Sequence, residues 1–196
     1  MKKLLLLFLA SVLAIIIDGW PLEKRDPHSI LMAVLNSEKT FITKNDHDVL
    51  LKNYIIGDVY FDVSYVTNPS DYSFVDFDND GADELVVRIS DNWRNYLILR
   101  CDGLDVYGYE TGIRAMQNLK KDGSFKGSSG ADVAHYCRMT FKRNSYTIEC
   151  EAVKDDLSKV YELHGEVCTV EEIDEFIRGW NAKENVEWLS YKDSLN

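Results

Sequence analysis

Apolar or small residues run without a break from Leu4 to Ile17, directly after Lys2-Lys3. Later they recur at helical spacing twice, and between those two segments they alternate or bunch as strands do. The opening run has the basic and apolar regions of a secretory signal. It is shorter than the ~20 residues a spanning helix needs. The expected organisation is a signal peptide over 1–19, cut before Trp20, and one β-rich domain over 20–196. An uncleaved signal would instead tether the protein to a membrane.

The first helical pattern is Pro27 to Asn36. Asp26 suits the N-cap, Pro27 the first turn, and Ile30, Leu31, Val34 and Leu35 form an apolar stripe. Asp48 to Tyr54 reads as a short helix and Val59 to Val66 as a strand. From Tyr72 the chain becomes a meander. Tyr72 to Val75 and Leu85 to Ser90 flank an acidic loop, and Asp91 to Arg94 is a turn. Asp102-Gly103 predicts a hairpin with Arg100 opposite Asp105 and Leu99 opposite Val106. Lys121 to Ser124 marks another hairpin, and Gly127 to Asp132 reads as a mobile loop.

Tyr136 to Phe141 and Tyr146 to Val153 form a further hairpin. One register stacks Phe141 on Tyr146 and Met139 on Ile148, with Thr140 by Thr147 and Arg138 by Glu149 on the other face. A slip of one residue would break every match. Val160 to Leu163 is a last strand. Thr169 to Glu172 is a capping box, opening a helix with Ile173, Phe176, Ile177 and Trp180 on one face. Val186 to Leu189 should pack back onto the sheet. The expected fold is α+β, a mostly antiparallel meander with a helix at each end.

One stretch states a chemistry. In F-V-D-F-D-N-D-G-A-D-E-L-V-V, Asp76, Asp78 and Asp80 alternate, Gly81 permits the sharp turn, and Glu84 follows. Ca²⁺ takes six to eight oxygens at roughly 2.3–2.6 Å. Alternating carboxylates converge on one point if the chain reverses at a residue that accepts positive φ. The expected ligands are Asp76, Asp78, Asp80, the Ala82 carbonyl and Glu84. An EF-hand would need a bidentate Glu where Val87 stands, so the loop leaves by a strand. Ordinary Asx turn chemistry is the alternative reading.

The D-x-D-x-D-G-x-x-E-L-V-V pattern resembles the calcium loops of FG-GAP/VCBS-type repeats and half of a dockerin loop. That resemblance implies acidic ligands at Asp76, Asp78, Asp80 and Glu84, with the Ala82 carbonyl. A wider likeness exists to small secreted proteins of Gram-positive gut anaerobes. It lies in Leu31 to Lys39, Tyr107 to Glu110, Met116 to Phe125 and Val186 to Tyr191, and implies no particular activity.

The net charge of −11 repels phosphate backbones and anionic lipid, which argues against nucleic acid as a partner. Cys101, Cys137, Cys150 and Cys168 allow three full pairings. Cys137 faces Cys150 in the expected hairpin, as a disulfide or as two thiols packed like small apolar residues. His28, His47, His135 and His164 form no zinc-type pattern. Ser128 and Ser129 lack a nucleophile elbow. Trp93, at a polar hairpin tip, is a candidate contact for a glycan or a partner. Tyr107 and Tyr109 share a strand face. The expected protein is a secreted or cell-surface binding module with structural Ca²⁺, taking a glycan, a peptide or a surface protein. An extracellular hydrolase scaffolded by calcium is the alternative.

Overall fold

The computed structural model describes residues 26–58, 63–66, 69–89, 95–112, 114–143 and 145–191. The signal segment, the 91–94 turn and Trp93 lie outside the described residues.

Helix α1 (Pro27–Leu35) starts where Asp26 accepts the His28 N–H, and it buries Ile30, Leu31, Val34 and Leu35. Helix α2 (Val170–Ala182) carries the reciprocal capping box of Thr169 and Glu172. Between them lie strands β1 (Phe41–Ile42), β2 (Asp48–Val49), β3 (Ile55–Asp58), β4 (Val63–Val66), β5 (Pro69–Val75), β6 (Glu84–Ile89) and β7 (Asn95–Asp102). They continue with β8 (Asp105–Thr111), β9 (Phe125–Gly130), β10 (Val133–Lys142), β11 (Ser145–Asp155), β12 (Val160–Leu163) and β13 (Glu166–Val167), and β14 (Leu189–Ser190) follows α2. The fold is α+β and mostly antiparallel.

The expected single meander is divided. One sheet runs β14-β5-β6-β7-β8-β1-β2, a second runs β13-β12-β11-β10-β9, and β3-β4 pair by themselves. Only β1 with β8 is parallel among the named pairs. The cause lies in the first sheet, which is apolar on both faces. Leu85, Val87, Leu97 and Leu99 pack with α1. Val86, Tyr96, Ile98, Tyr107 and Tyr109 face the other way and join Phe125, Cys137 and Met139 of the second sheet. Such a two-faced sheet needs cover on both sides. Helix α2 then closes the far face of the second sheet through Ile173 and Trp180. The layers are helix, sheet, sheet, helix.

Three local expectations are corrected. Within Asp48 to Tyr54 the chain forms β2 and a single 3₁₀ turn, Leu51–Asn53. The Gly127 to Asp132 segment is largely strand, because β9 pairs along β10 and the Ser128 N–H bonds the Arg114 carbonyl. The β7–β8 hairpin pairs Asp102 with Asp105, Arg100 with Tyr107 and Leu99 with Gly108. Its central residues are Gly103 and Leu104, with positive φ at Gly103 alone. That is the pattern of a type II′ turn, with Gly first.

The β10–β11 register holds all five expected pairs, with Glu151 as an extra residue between the Cys150 and Ala152 pairings. Cys137 and Cys150 are joined as a disulfide. It closes a short loop, so the chain-entropy gain is about 3 kcal/mol at most. Replacing both cysteines by alanine is expected to lower stability by about 2–3 kcal/mol, read from the urea midpoint. An unchanged midpoint, with or without reductant, would show that the bridge adds nothing. Among the described residues no helix is long and apolar enough to cross a membrane.

Candidate metal centre

The acidic loop connects β5 to β6 and is anchored by the residue between its first two acids. Phe77 is fully buried, edge-on to Phe125 and Phe141 at centroid distances of 6.5 and 5.9 Å. With Phe77 driven inward, its neighbours Asp76 and Asp78 turn toward the loop interior. Asn79 and Gly81 take positive φ and fold the chain back.

Backbone donors organise the carboxylates. Asp76 accepts the N–H groups of Asp80 and Gly81 at 3.1 and 3.0 Å. Asp80 Oδ1 accepts the Ala82 N–H at 2.8 Å, and Glu84 Oε2 accepts the Phe77 N–H at 3.1 Å. Oxygens of Asp76, Asp78 and Glu84 all lie within 4.8 Å of one another. Asp80 is not part of that group. Ala82 is exposed, and its N–H serves Asp80.

Arg100 is the residue that the sequence reading missed. It reaches over from β7, donating from Nη1 to Asp78 Oδ2 at 2.9 Å and from Nη2 to Asp80 Oδ2 at 2.8 Å. Its Nε lies 3.6 Å from Glu84 Oε1, too far for a hydrogen bond. The expected hairpin register occupied Arg100 with Asp105. The observed register sets it against Tyr107 and leaves the guanidinium to the loop. The available signal was an arginine ending an apolar strand, Y-L-I-L-R, that pairs directly with the strand leaving the loop.

In the loop, two buried oxygens have no hydrogen-bond partner, Asp78 Oδ1 and Glu84 Oε1. Glu84 is the deeper, its side chain 1 % exposed against 14 % for Asp78 and 40 % for Asp80. Burial pushes the Glu84 carboxyl up to about 8, and Asp78 and Asp80 push the same way. The Phe77 N–H and Arg100 oppose them. A buried oxygen left unpaired is disfavoured by about 1–3 kcal/mol, and a hard cation would satisfy both at once. Three aspartates against one guanidinium also leave negative charge to spare. The donor set therefore fits a hard divalent cation, with Asp76, Asp78 and Glu84 nearest to it.

The other sequence candidates fall elsewhere. Tyr107 and Tyr109 are buried between the sheets. Ser129 Oγ lies 2.9 Å from His135 Nε2, on the exposed β9–β10 hairpin. His28 stacks on Phe74 at 3.6 Å. Cys101 and Cys168 are free. The reading of the centre rests on this geometry alone, since no family model, curated protein or solved structure matches the chain.

Proposed function

We propose that the protein is a secreted or cell-surface binding module whose β5–β6 loop holds one structural Ca²⁺, with Asp76, Asp78 and Glu84 as the inner ligands. Asp80 and the Ala82 carbonyl complete the proposed set. The observation that carries the reading is the pair of buried oxygens without a hydrogen bond, Asp78 Oδ1 and Glu84 Oε1. The likeness of the loop to known calcium loops supports it. The Cys137–Cys150 bridge suits an oxidising compartment and supports export. The loop joins two paired strands of the larger sheet, so an ion held there would brace the scaffold.

The test is thermal melting of protein stripped with chelator and then reloaded. Extracellular modules function with Kd on the order of 10⁻⁴–10⁻³ M. At a hundredfold excess of Ca²⁺ over Kd the folded state gains about 2.7 kcal/mol, seen as a rise of several degrees in Tm. Mg²⁺ should substitute poorly, because it prefers a tighter octahedron and keeps its waters. Asp78→Ala should abolish the response. No calorimetric Ca²⁺ heat and no shift in Tm would reduce the loop to a turn.

A further inference from the structure

A cleft of about 750 Å³ opens on the opposite side of the first sheet from α1, between Arg88 and Tyr96 of that sheet and the C-terminal end of α2. Its volume falls within the roughly 300–1,000 Å³ typical of small-molecule sites. Trp188 is held across it by two neighbours on paired strands. The Arg88 guanidinium carbon lies 4.1 Å from the indole centroid, and the Tyr96 ring stacks at 5.8 Å. Arg88 is itself oriented by Asp71 at 3.0 Å. These contacts fix one aromatic, one carboxylate and one guanidinium in place before any ligand arrives, which reduces the ordering entropy of binding.

The remaining polar lining is amide. Asn118, Asn181 and Asn185 border the cleft and are exposed. Each carboxamide offers two donors and an acceptor. Asn185 Oδ1 accepts from Lys120 Nζ at 2.8 Å, and its NH₂ group is not used in that bond.

Charge and polarity narrow the ligand class. Asp71 and Arg88 cancel. Lys120 is buried, and its ammonium is directed to the Lys183 and Asn181 carbonyls that end α2 and to Asn185. The ammonium keeps its charge, but its three N–H donors go to these neutral oxygens and none is left to grip a phosphate or carboxylate. One carboxylate paired to arginine is a poor metal site. The apolar members Leu119, Val186 and Trp180 are buried, so a greasy ligand finds little to cover. Mixed donors and acceptors beside a rigid indole complement a ligand that is uncharged and dense in hydroxyls.

We infer that this cleft binds a neutral saccharide of a few units. The inference takes the binding-module reading as its premise and names the ligand class. The experiment titrates the full chain with neutral trisaccharides built on glucose, galactose, mannose, xylose and N-acetylglucosamine. Tryptophan emission reports on Trp180 and Trp188 in the cleft together with Trp20 and Trp93, and the cleft variants assign the signal. At least one sugar should give a saturable response. Asn181→Ala and Asn118→Gly, each deleting one exposed amide, should weaken it about tenfold with the melting midpoint unchanged. Asn118→Gly also preserves the positive φ of that residue.

No saturable response to any sugar overturns the inference. So does a response that both variants leave intact, or one given only by a neutral peptide or an acidic sugar. Titration in Ca²⁺ and in chelator separates the two readings. Sugar binding without a calcium shift in Tm removes the metal and leaves the cleft, and the reverse removes only the cleft.

Discussion

Gly123→Ala is expected to lower the unfolding free energy by about 3 kcal/mol and to weaken the calcium response with it. Gly123 has φ +76°, which alanine adopts at a cost of about 1 kcal/mol or more. A methyl group there would lie 2.7 Å from the Asp76 carbonyl oxygen, 2.7 Å from Phe77 Cα and 2.9 Å from the Phe77 oxygen. All three atoms are backbone, so no side chain can swing aside, and overpacking of this kind costs about 1–3 kcal/mol.

Neither partner is free to retreat. Phe77 is wedged between Phe125 and Phe141. The Gly123 turn is tied down by Asp122, which pairs with Arg138 at 3.0 Å and Lys183 at 2.9 Å and accepts the Ser124 hydroxyl at 2.6 Å. The strain therefore enters the first residues of the acidic loop, although Gly123 offers it no ligand. Gly165→Ala is the control, since Gly165 shares a positive φ of +82° but a methyl there meets nothing within 4 Å. Urea midpoints should separate the two variants by about 2 kcal/mol. Equal losses would mean that backbone conformation alone is responsible and that the turn and the loop are uncoupled.

The features legible in the chain are those that local chemistry dictates. Asp26-Pro27 announces α1, Thr169 with Glu172 announces α2, and five matched pairs set the β10–β11 register. The β7–β8 register was not legible, for a definite reason. Its displacement is two residues, which returns every side chain to its own face, so apolar patterning is blind to it. Only the turn type decides, and Gly103-Leu104 competes closely with Asp102-Gly103. That small displacement hid Arg100.

The second sheet was hidden differently. Strand patterns show that a segment is extended but not which neighbour it takes. The G-S-S-G run has the composition of a loop and becomes strand because β10 offers it a ladder, a case of tertiary context overriding propensity. The acidic loop was legible as a cluster of acids, of which Asp76, Asp78 and Glu84 converge. Its internal counter-charge was not, because the guanidinium arrives from a strand sixteen residues beyond Glu84.

Arg100→Gln is expected to move two quantities in opposite directions. In chelator the variant should be less stable by about 2 kcal/mol. It loses charge-assisted bonds to Asp78 and Asp80, each worth about 1.5–3 kcal/mol but discounted because Arg100 is 24 % and Asp80 40 % exposed. It also leaves Glu84 buried with no cation nearby. In Ca²⁺ the same change removes a positive charge from beside the ion. For a divalent ion and a guanidinium a few ångströms apart in a largely aqueous dielectric, the relief is about 1–2 kcal/mol, or about tenfold in Kd. Calcium should thus rescue the variant, and the Tm shift on loading should exceed that of the parent chain. Arg100→Lys keeps the charge and loses the planar fork, so it should fall between the two. If Arg100→Gln is destabilised and calcium does not restore it, the guanidinium itself is the resident cation and the loop needs no metal. If stability in chelator is unchanged, the three carboxylate contacts of Arg100 contribute nothing. A variant both weaker without calcium and tighter with it would show a loop built to exchange an internal cation for an external one.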